Sequence, residues 1–401
     1  MTQTILNIDQ LTNESLMQFE NSLELGGIAD KQYEDYFAKT GAKIGDTLRV
    51  REPVRMVGQD GRALVVNTIT EKSKNLTVAT QKHVAWPFNS SDMALTLDDY
   101  SNRYIKPAVA ELASLVDLAG HAKFTECYNH VGTPGTDPNS MLTWLQAKQK
   151  LNQYSVPKDG RLTALVNEGG EVSTVDALKG LFQSASNVDK QYKDGEMGQG
   201  MGLKFKMTQN IPKFTSGTAT ALGTVNGTVT SGTSIVLQTV TSGGTIPAGT
   251  VFDVADCYAF NLKTRVTSGK LQQFVVTTLA TAVGTDATVV VSPEIITTGN
   301  YQNMTTAGVV TGKAVTLRSG STSSTVYSQN LVLHPSAIQL VTADLPMVSA
   351  PKISRKNGNG LSIRLLQTYD VQSDQEIFRM DILFGWALLR PEWMCRVAGA
   401  A

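Results

Sequence analysis

Residues 361–397 read LSIRLLQTYDVQSDQEIFRMDILFGWALLRPEWMCRV. Two runs of alternating apolar and polar residues, 361–369 and 376–389, flank the polar link DVQSDQ. A period of two is that of a strand, whose successive side chains point to opposite faces, so the stretch predicts an antiparallel hairpin. In the second run Phe378, Met380, Ile382 and Phe384 share one face, and Arg379 and Asp381 take the other. Its end, GWALLRPEW, is apolar and aromatic, and must be covered by earlier parts of the chain or by another subunit.

The rest of the chain is long enough to supply that cover. Its 401 residues exceed what one hydrophobic core serves, so two or more core-bearing units are expected. Lys plus Arg and Asp plus Glu number 35 each, and a net charge of zero argues against a protein that clamps nucleic-acid phosphates. Charged residues make up 17%, below the ~25% of ordinary soluble proteins, which points to a surface partly covered by partners. Cys127, Cys257 and Cys395 are scattered and odd in number, so buried thiols are expected rather than a disulfide framework or a thiolate metal cage. No run approaches a membrane span, and the first residues show no basic region followed by an apolar core, so no secretion signal is expected.

Residues 8–39 have helical spacing in two pieces, 11–25 and 30–37, separated by Gly26-Gly27. Leu16, Phe19 and Leu23 stripe the first, and Tyr33, Tyr36 and Phe37 crowd the second. Two short amphipathic helices cannot bury themselves, so they predict an arm that packs elsewhere. From Gly45 the period changes to two, and Asp60-Gly61 between β-rich flanks predicts a hairpin, since Gly supplies positive φ. This hairpin carries Arg49, Arg51, Arg55, Arg62, Lys72 and Lys74 against few acids. It reads equally as a solvated basic ribbon or as a projecting loop that docks on acidic groups of a neighbour. A strand over 76–86 follows, ending at Pro87.

Residues 96–128 are the longest helix candidate, opened by the Thr96/Asp99 capping pair. Pro107 either kinks it or lies in the first turn of a helix that begins there. After the turn cluster GTPGTDPN, helices over 140–151 and 174–183 surround a strand over 162–166. GEMGQGMG has the wrong glycine spacing for a phosphate loop and reads as a flexible loop. Near Lys213 the composition shifts: residues 214–252 hold no charged residue and are rich in Thr, Ser, Gly and Val. β-Branched density with glycine turns predicts short strands, and residues 213–320 read as an antiparallel β module inserted into an α/β body.

Chemistry is sparse. His83, His121, His130 and His334 lack metal-ligand spacing, and there is no nucleophile elbow or Walker loop. Tyr100, Tyr104, Trp144, Trp386 and Trp393 read as core or interface anchors, since no basic track accompanies them. No enzyme activity, cofactor or metal is expected. Two rival readings are a hydrolase assembled from distant segments and a carbohydrate-binding or adhesive β-rich surface protein; the second should show a secretion route.

The order of parts resembles the major capsid proteins of tailed double-stranded DNA phages with the HK97-like fold, in particular the P22-type coat proteins. The segments that carry the resemblance are IKPAVAELASLVD (105–117), IPAGTVFDVADCYAFNLKTRVTSGKLQQFVV (246–276), SPEIITTGNYQNM (292–304), NLVLHPSAI (330–338) and DILFGWALLRPEW (381–393). Similarity covers about residues 45–398 and is strongest after 240. The resemblance implies an α+β chain with an amino-terminal arm over 1–44 and an extended loop over 45–75. A peripheral domain over 76–134 would contain a spine helix over 96–128, and an axial domain would span 135–212. The inserted β-barrel-like domain would span 213–320, and 321–401 would return to the axial and peripheral domains. It implies a shell of hexamers and pentamers, built with a scaffolding protein and a portal protein in the host cytoplasm. That shell would expand as double-stranded DNA is packaged and would touch the DNA only weakly, with no membrane partner. Arg49, Arg51, Arg55, Arg62, Phe19, Tyr33, Tyr36 and Trp393 are then the candidate inter-subunit contacts.

Overall fold

The computed structural model describes all residues except 1–7, 32–44, 59–60, 63–65, 67–68, 70, 90–100, 179–197, 262, 348–351, 373–374 and 400–401. The chain is a mixed α+β protein of two compact units. The first comprises residues 1–51, 73–121 and 338–389, and the second 52–72, 122–337 and 390–401.

The first unit is built on the predicted hairpin. Strand Leu361–Asp370 pairs antiparallel with strand Gln375–Leu388, with Arg364 opposite Asp381 and Asp370 opposite Gln375. The longer strand also pairs with Thr80–Asn89 and with Ile338–Ala343, so it is the centre of a five-stranded sheet. Strand Lys352–Gly358 completes that sheet beside Leu361–Asp370. Residues 76–86, expected as one strand, divide at Ala79 into Ser73–Val78 and Thr80–Asn89, which belong to different sheets. The second of these passes through Pro87, which an edge strand tolerates because its missing N–H faces no neighbour.

The expected polar face of the long strand is solvated only at its start, where Ile377 and Arg379 are half-buried. Asp381, Leu383 and Ala387 are buried, as are Phe378, Met380, Ile382 and Phe384 opposite them. The ribbon Asp46–Arg51/Ser73–Val78 covers the odd face, where Leu76, Val78, Val341, Ala343, Leu383 and Ala387 form one cluster. Contact is so close at Gly385 that a methyl group there would overlap the Thr77 carbonyl. On the even face, Trp386 Nε1 donates to the Val116 carbonyl at 3.0 Å. Asp381 is satisfied by Arg364 Nη2 at 2.6 Å and Arg379 Nε at 2.7 Å, the pairing that a buried carboxylate requires.

That carbonyl belongs to the helix Lys106–His121, which places Pro107 in its first turn. A π-helical turn, Ser101–Ile105, precedes it and a 3-10 turn, Ala122–Glu126, follows, so the described regular helix is about 24 Å long at 1.5 Å per residue. The Thr96/Asp99 capping pair lies outside the described residues. The arm begins with helix Ile8–Ser22, which buries Leu11 and Phe19, and a short turn of helix, Leu25–Ile28. Ser354 Oγ donates to Asp9 and Asn359 Nδ2 to Glu20, both at 2.6 Å, so this arm packs on its own unit. Asp30, expected to open a second helix, instead bridges Gln339.

The second unit holds a six-stranded mixed sheet in the order His130–Val131, Met394–Val397, Asn330–Leu333, Thr163–Val166, Leu203–Met207, Gln199–Gly200. Helix Met141–Gln153, capped by Ser140 Oγ on the Leu142 N–H, packs Trp144, Ala147 and Leu151 against it. Its neighbour, Glu168–Leu178, starts six residues before the expected 174. The described part of the glycine-rich stretch, 198–202, ends in a tight turn, because Met201 and Gly202 both take positive φ between the last two strands.

The β-rich stretch after Lys213 forms a second six-stranded sheet: Val315–Leu317, Val251–Phe260, Thr267–Val276, Ala287–Ile296, Ser231–Gln238, Thr224–Val225. A bridge from Thr224 to Ala314 brings the first strand to the last and nearly closes a barrel. Its interior is apolar, filled by Ile235, Leu237, Phe252, Val254, Phe274, Val289 and Ile295 among others. Lys213–Thr215 pairs with Val326–Ser328, so the module enters and leaves through one two-stranded neck and extends to Ser328. A barrel with its own core and adjacent ends is expected to fold alone. Residues 213–328 expressed by themselves should give a β-type circular dichroism spectrum and one cooperative melt, and a disordered spectrum would refute this.

Candidate functional site

The groups singled out in the sequence do not converge on one cleft. Arg49 lies on the exposed ribbon with Nε on Ser73 Oγ at 2.6 Å, and Arg51 ends the same strand. Every pair of this ribbon is symmetric about residue 62, as is the added bond from Glu52 N to Lys72 O. The register therefore points to a turn beside Gly61, whose φ is 109°. Arg62 is exposed there.

Arg55 and Lys72 behave differently. The Arg55 guanidinium lies 5.3 Å from the centre of the Tyr301 ring, and Lys72 Nζ lies 5.1 Å from the same point. Lys72 also pairs with Glu294 at 3.0 Å. Neither cation is a bare solvated charge, and the acidic partner found is in the same chain. Phe19 is wholly buried within its own unit, which removes it from the groups that can face a neighbour. Tyr33 and Tyr36 lie outside the described residues. Trp393 is half-buried, donates Nε1 to the Tyr154 carbonyl at 3.2 Å, and carries the Arg390 guanidinium 4.3 Å above its ring.

Two buried ionisable groups that the sequence did not mark organise the units. Arg396 is fully buried, with Nη1 on the Gly249 carbonyl and Nη2 on the Cys127 carbonyl, both at 2.7 Å, and its guanidinium 5.0 Å from the Phe124 ring. Burial pulls Arg396 down to about 10, so it remains charged at neutral pH. The nearby Cys127 thiol, pushed up to about 11 by burial, stays protonated and gives it no counter-charge. Gln273 reinforces the joint by accepting from His130 N at 2.9 Å and donating to His130 O at 3.0 Å. These bonds tie the inserted module to the mixed sheet.

In the first unit, the buried Asp117 carboxylate accepts from the backbone N–H of Glu24 at 2.7 Å, Leu25 at 3.3 Å and Gly26 at 2.9 Å. It caps the short helix of the arm from another helix, so no local capping motif reveals it. Desolvation raises its pKa to about 6 against the opposing pull of those N–H groups, and the Glu24 carboxylate adds to the rise.

Histidine chemistry is absent from these joints. His121 and His130 are buried with no hydrogen-bond partner on either ring nitrogen, and burial lowers them to about 4 and about 3. Among the described residues no group of three His, Cys, Asp or Glu stands together to hold a metal ion. No described helix is long and apolar enough to cross a membrane.

The family described as "P22 coat protein - gene protein 5" matches residues 1–397. The chain belongs to the P22 coat protein family. It is a structural protein, the major capsid protein whose copies form the shell of a bacteriophage virion. No curated protein matches the chain. Among solved structures, this coat protein is similar to a chain of Mycobacterium phage Che8 at 11% identity, covering 93% of this chain and 90% of that one, with a TM-score of 0.46. A chain of the capsid of Ralstonia phage GP4 aligns at 8% identity over 90% of this chain and 84% of that one, with a TM-score of 0.45. A chain of the capsid of cyanophage P-SCSP1u does so at 10% identity over 90% and 85%, with a TM-score of 0.42. The coat family replaces the readings as a hydrolase or an adhesive surface protein, and its surfaces of interest are those that join copies.

Lysine cannot span both carbonyls that Arg396 bridges, so Arg396→Lys is expected to lower the unfolding free energy by about 2–4 kcal/mol in urea titrations. For Asp117 the sign runs opposite to the usual carboxylate. An acid raised in the folded state holds its proton more tightly than in the open chain, so its contribution to stability falls as pH climbs from about 4 to about 6. The unfolding free energy of Asp117→Asn minus that of the wild type should therefore rise by about 2–3 kcal/mol across that window. A flat difference would mean that Asp117 titrates as an exposed carboxylate.

Proposed function

We propose that this coat protein builds its shell in the HK97-like manner, with the amino-terminal arm over 1–44, the loop over 45–75 and the helix over 96–128 as the reaching and stiffening parts. The peripheral and axial domains form the capsomer body, and the β module is an insertion that the lattice tolerates at its surface. Copies join as hexamers and pentamers of an icosahedral shell, assembled in the host cytoplasm with a scaffolding protein and a portal protein. The shell expands as double-stranded DNA enters and catalyses no reaction. Zero net charge supports weak, unspecific contact with that DNA, since each subunit needs to neutralise few phosphates.

The observation that carries this reading is the loop beyond the ribbon. Met56, Val66 and Ile69 are 60%, 80% and 64% exposed, beside the exposed cations Arg51 and Arg62. Apolar side chains left bare on a basic loop favour a neighbouring copy as their cover, because burial there removes them from water. Many such modest contacts add through multivalency in a closed lattice.

Electron microscopy of the chain expressed alone and with its scaffolding protein tests this directly: closed shells or curved sheets of hexameric rings are expected, and a uniform monomer in both would overturn it. Reversing charge at Arg51 and Arg62 should lower the yield of closed shells by about tenfold while moving the melting temperature of the subunit by less than about 2 °C. Arg55 is not used in this test because it lies on Tyr301, and reversing it would mix two effects. Equal loss of shells and of subunit stability would refute the contact role.

A further inference from the structure

The two limbs of the loop meet the inserted β module at Tyr301. Arg55 comes from the outgoing limb and Lys72 from the returning one, and both place their charge within 5.3 Å of the centre of the Tyr301 ring. The ring is only 8% exposed. Its turn is braced from both sides: Asn303 accepts from Ile296 N at 3.1 Å and donates to the Glu294 carbonyl at 2.6 Å, and Gln302 N donates to Gly299 O at 3.2 Å. The turn is thus held in place before any cation arrives. The ribbon ladder ends at Arg51 and Ser73, extended by the single bond between Glu52 and Lys72. The ring contacts act where the ladder stops.

We infer that Tyr301 is a positioning residue that pins the base of the loop to the inserted module and so sets the direction in which the loop leaves its own subunit. This deepens the proposed function and rests on the reading of the loop as the part that reaches a neighbour. The aromatic face is the recognising group, and its partners are the guanidinium and ammonium of the same chain. A tyrosine face attracts both cations through its quadrupole, more strongly when they are partly desolvated. The Lys72–Glu294 pair adds charge complementarity but is partly exposed on both sides, so it contributes little by itself. The inserted module thereby gains a task beyond occupying the outer surface: it aims the loop.

Hydrogen exchange of the unassembled full-length subunit tests the pin, with the amides of the ribbon, 46–51, as internal reference. Tyr301→Leu should speed exchange over 52–58 by about fivefold, while Tyr301→Phe, which keeps the aromatic face, should exchange like the wild type. Arg55→Gln combined with Lys72→Gln should match Tyr301→Leu without touching the module. If Tyr301→Leu unfolds the module, that double variant decides: wild-type exchange over 52–58 would overturn the pin, and faster exchange would establish it. Shell yield of the same variants reads the loop separately. Faster exchange with normal shells would leave the pin standing and overturn the role of the loop as the neighbour contact.

Discussion

A strand that is apolar on both faces must be covered twice, and residues 382–388 impose that condition on the first unit. The ribbon over 46–51 and 73–78 covers one face and the helix Lys106–His121 the other. The chain therefore has to bring back segments separated by hundreds of residues before this core closes. That makes the topology non-local, and it explains why the hairpin, though late in the sequence, sits at the centre of the sheet. Buried charge is admitted there only with partners, as Asp381 is with Arg364 and Arg379.

The second unit answers a different constraint. The nearly closed β sheet fills its interior with its own apolar core, so its attachment to the rest of the unit is a separate matter. The neck supplies two short strands, and Arg396 with Gln273 supplies oriented hydrogen bonds. Replacing a buried ion pair by apolar groups of similar volume is often neutral or stabilising in other proteins. Here the forked geometry bridges two carbonyls from different parts of the unit, a specificity that an apolar side chain does not provide.

Local pattern made much of this legible. The hairpin over 361–389, the strand before Asn167 and the strands after Lys213 follow from periods, turn residues and β-branched density within a short window, whereas Pro107 left two readings open, of which the structure takes the one that puts it in a first turn. Where the pattern misled, another part of the fold had won. Gly202 closes a tight turn because Met201 beside it also takes positive φ, and residues 76–86 split because two sheets claim them. Asp381 alternates as a solvent-facing residue would, yet it is buried and paired with Arg364 and Arg379.

The sequence by itself determined the closing hairpin, the strand-rich character of the stretch after Lys213 and, through the segments 105–117, 246–276 and 381–393, the kinship with coat proteins. Those features are encoded by neighbours a few residues apart. Only the tertiary structure decided the roles of Asp117, Arg396 and Tyr301, and that Phe19 and Arg55 are engaged within their own chain. Each of those roles depends on a partner 90 or more residues away, as with Asp117 and Gly26 or Arg396 and Gly249. A charged or aromatic residue looks the same in a sequence whether water or a distant backbone carbonyl completes its bonds.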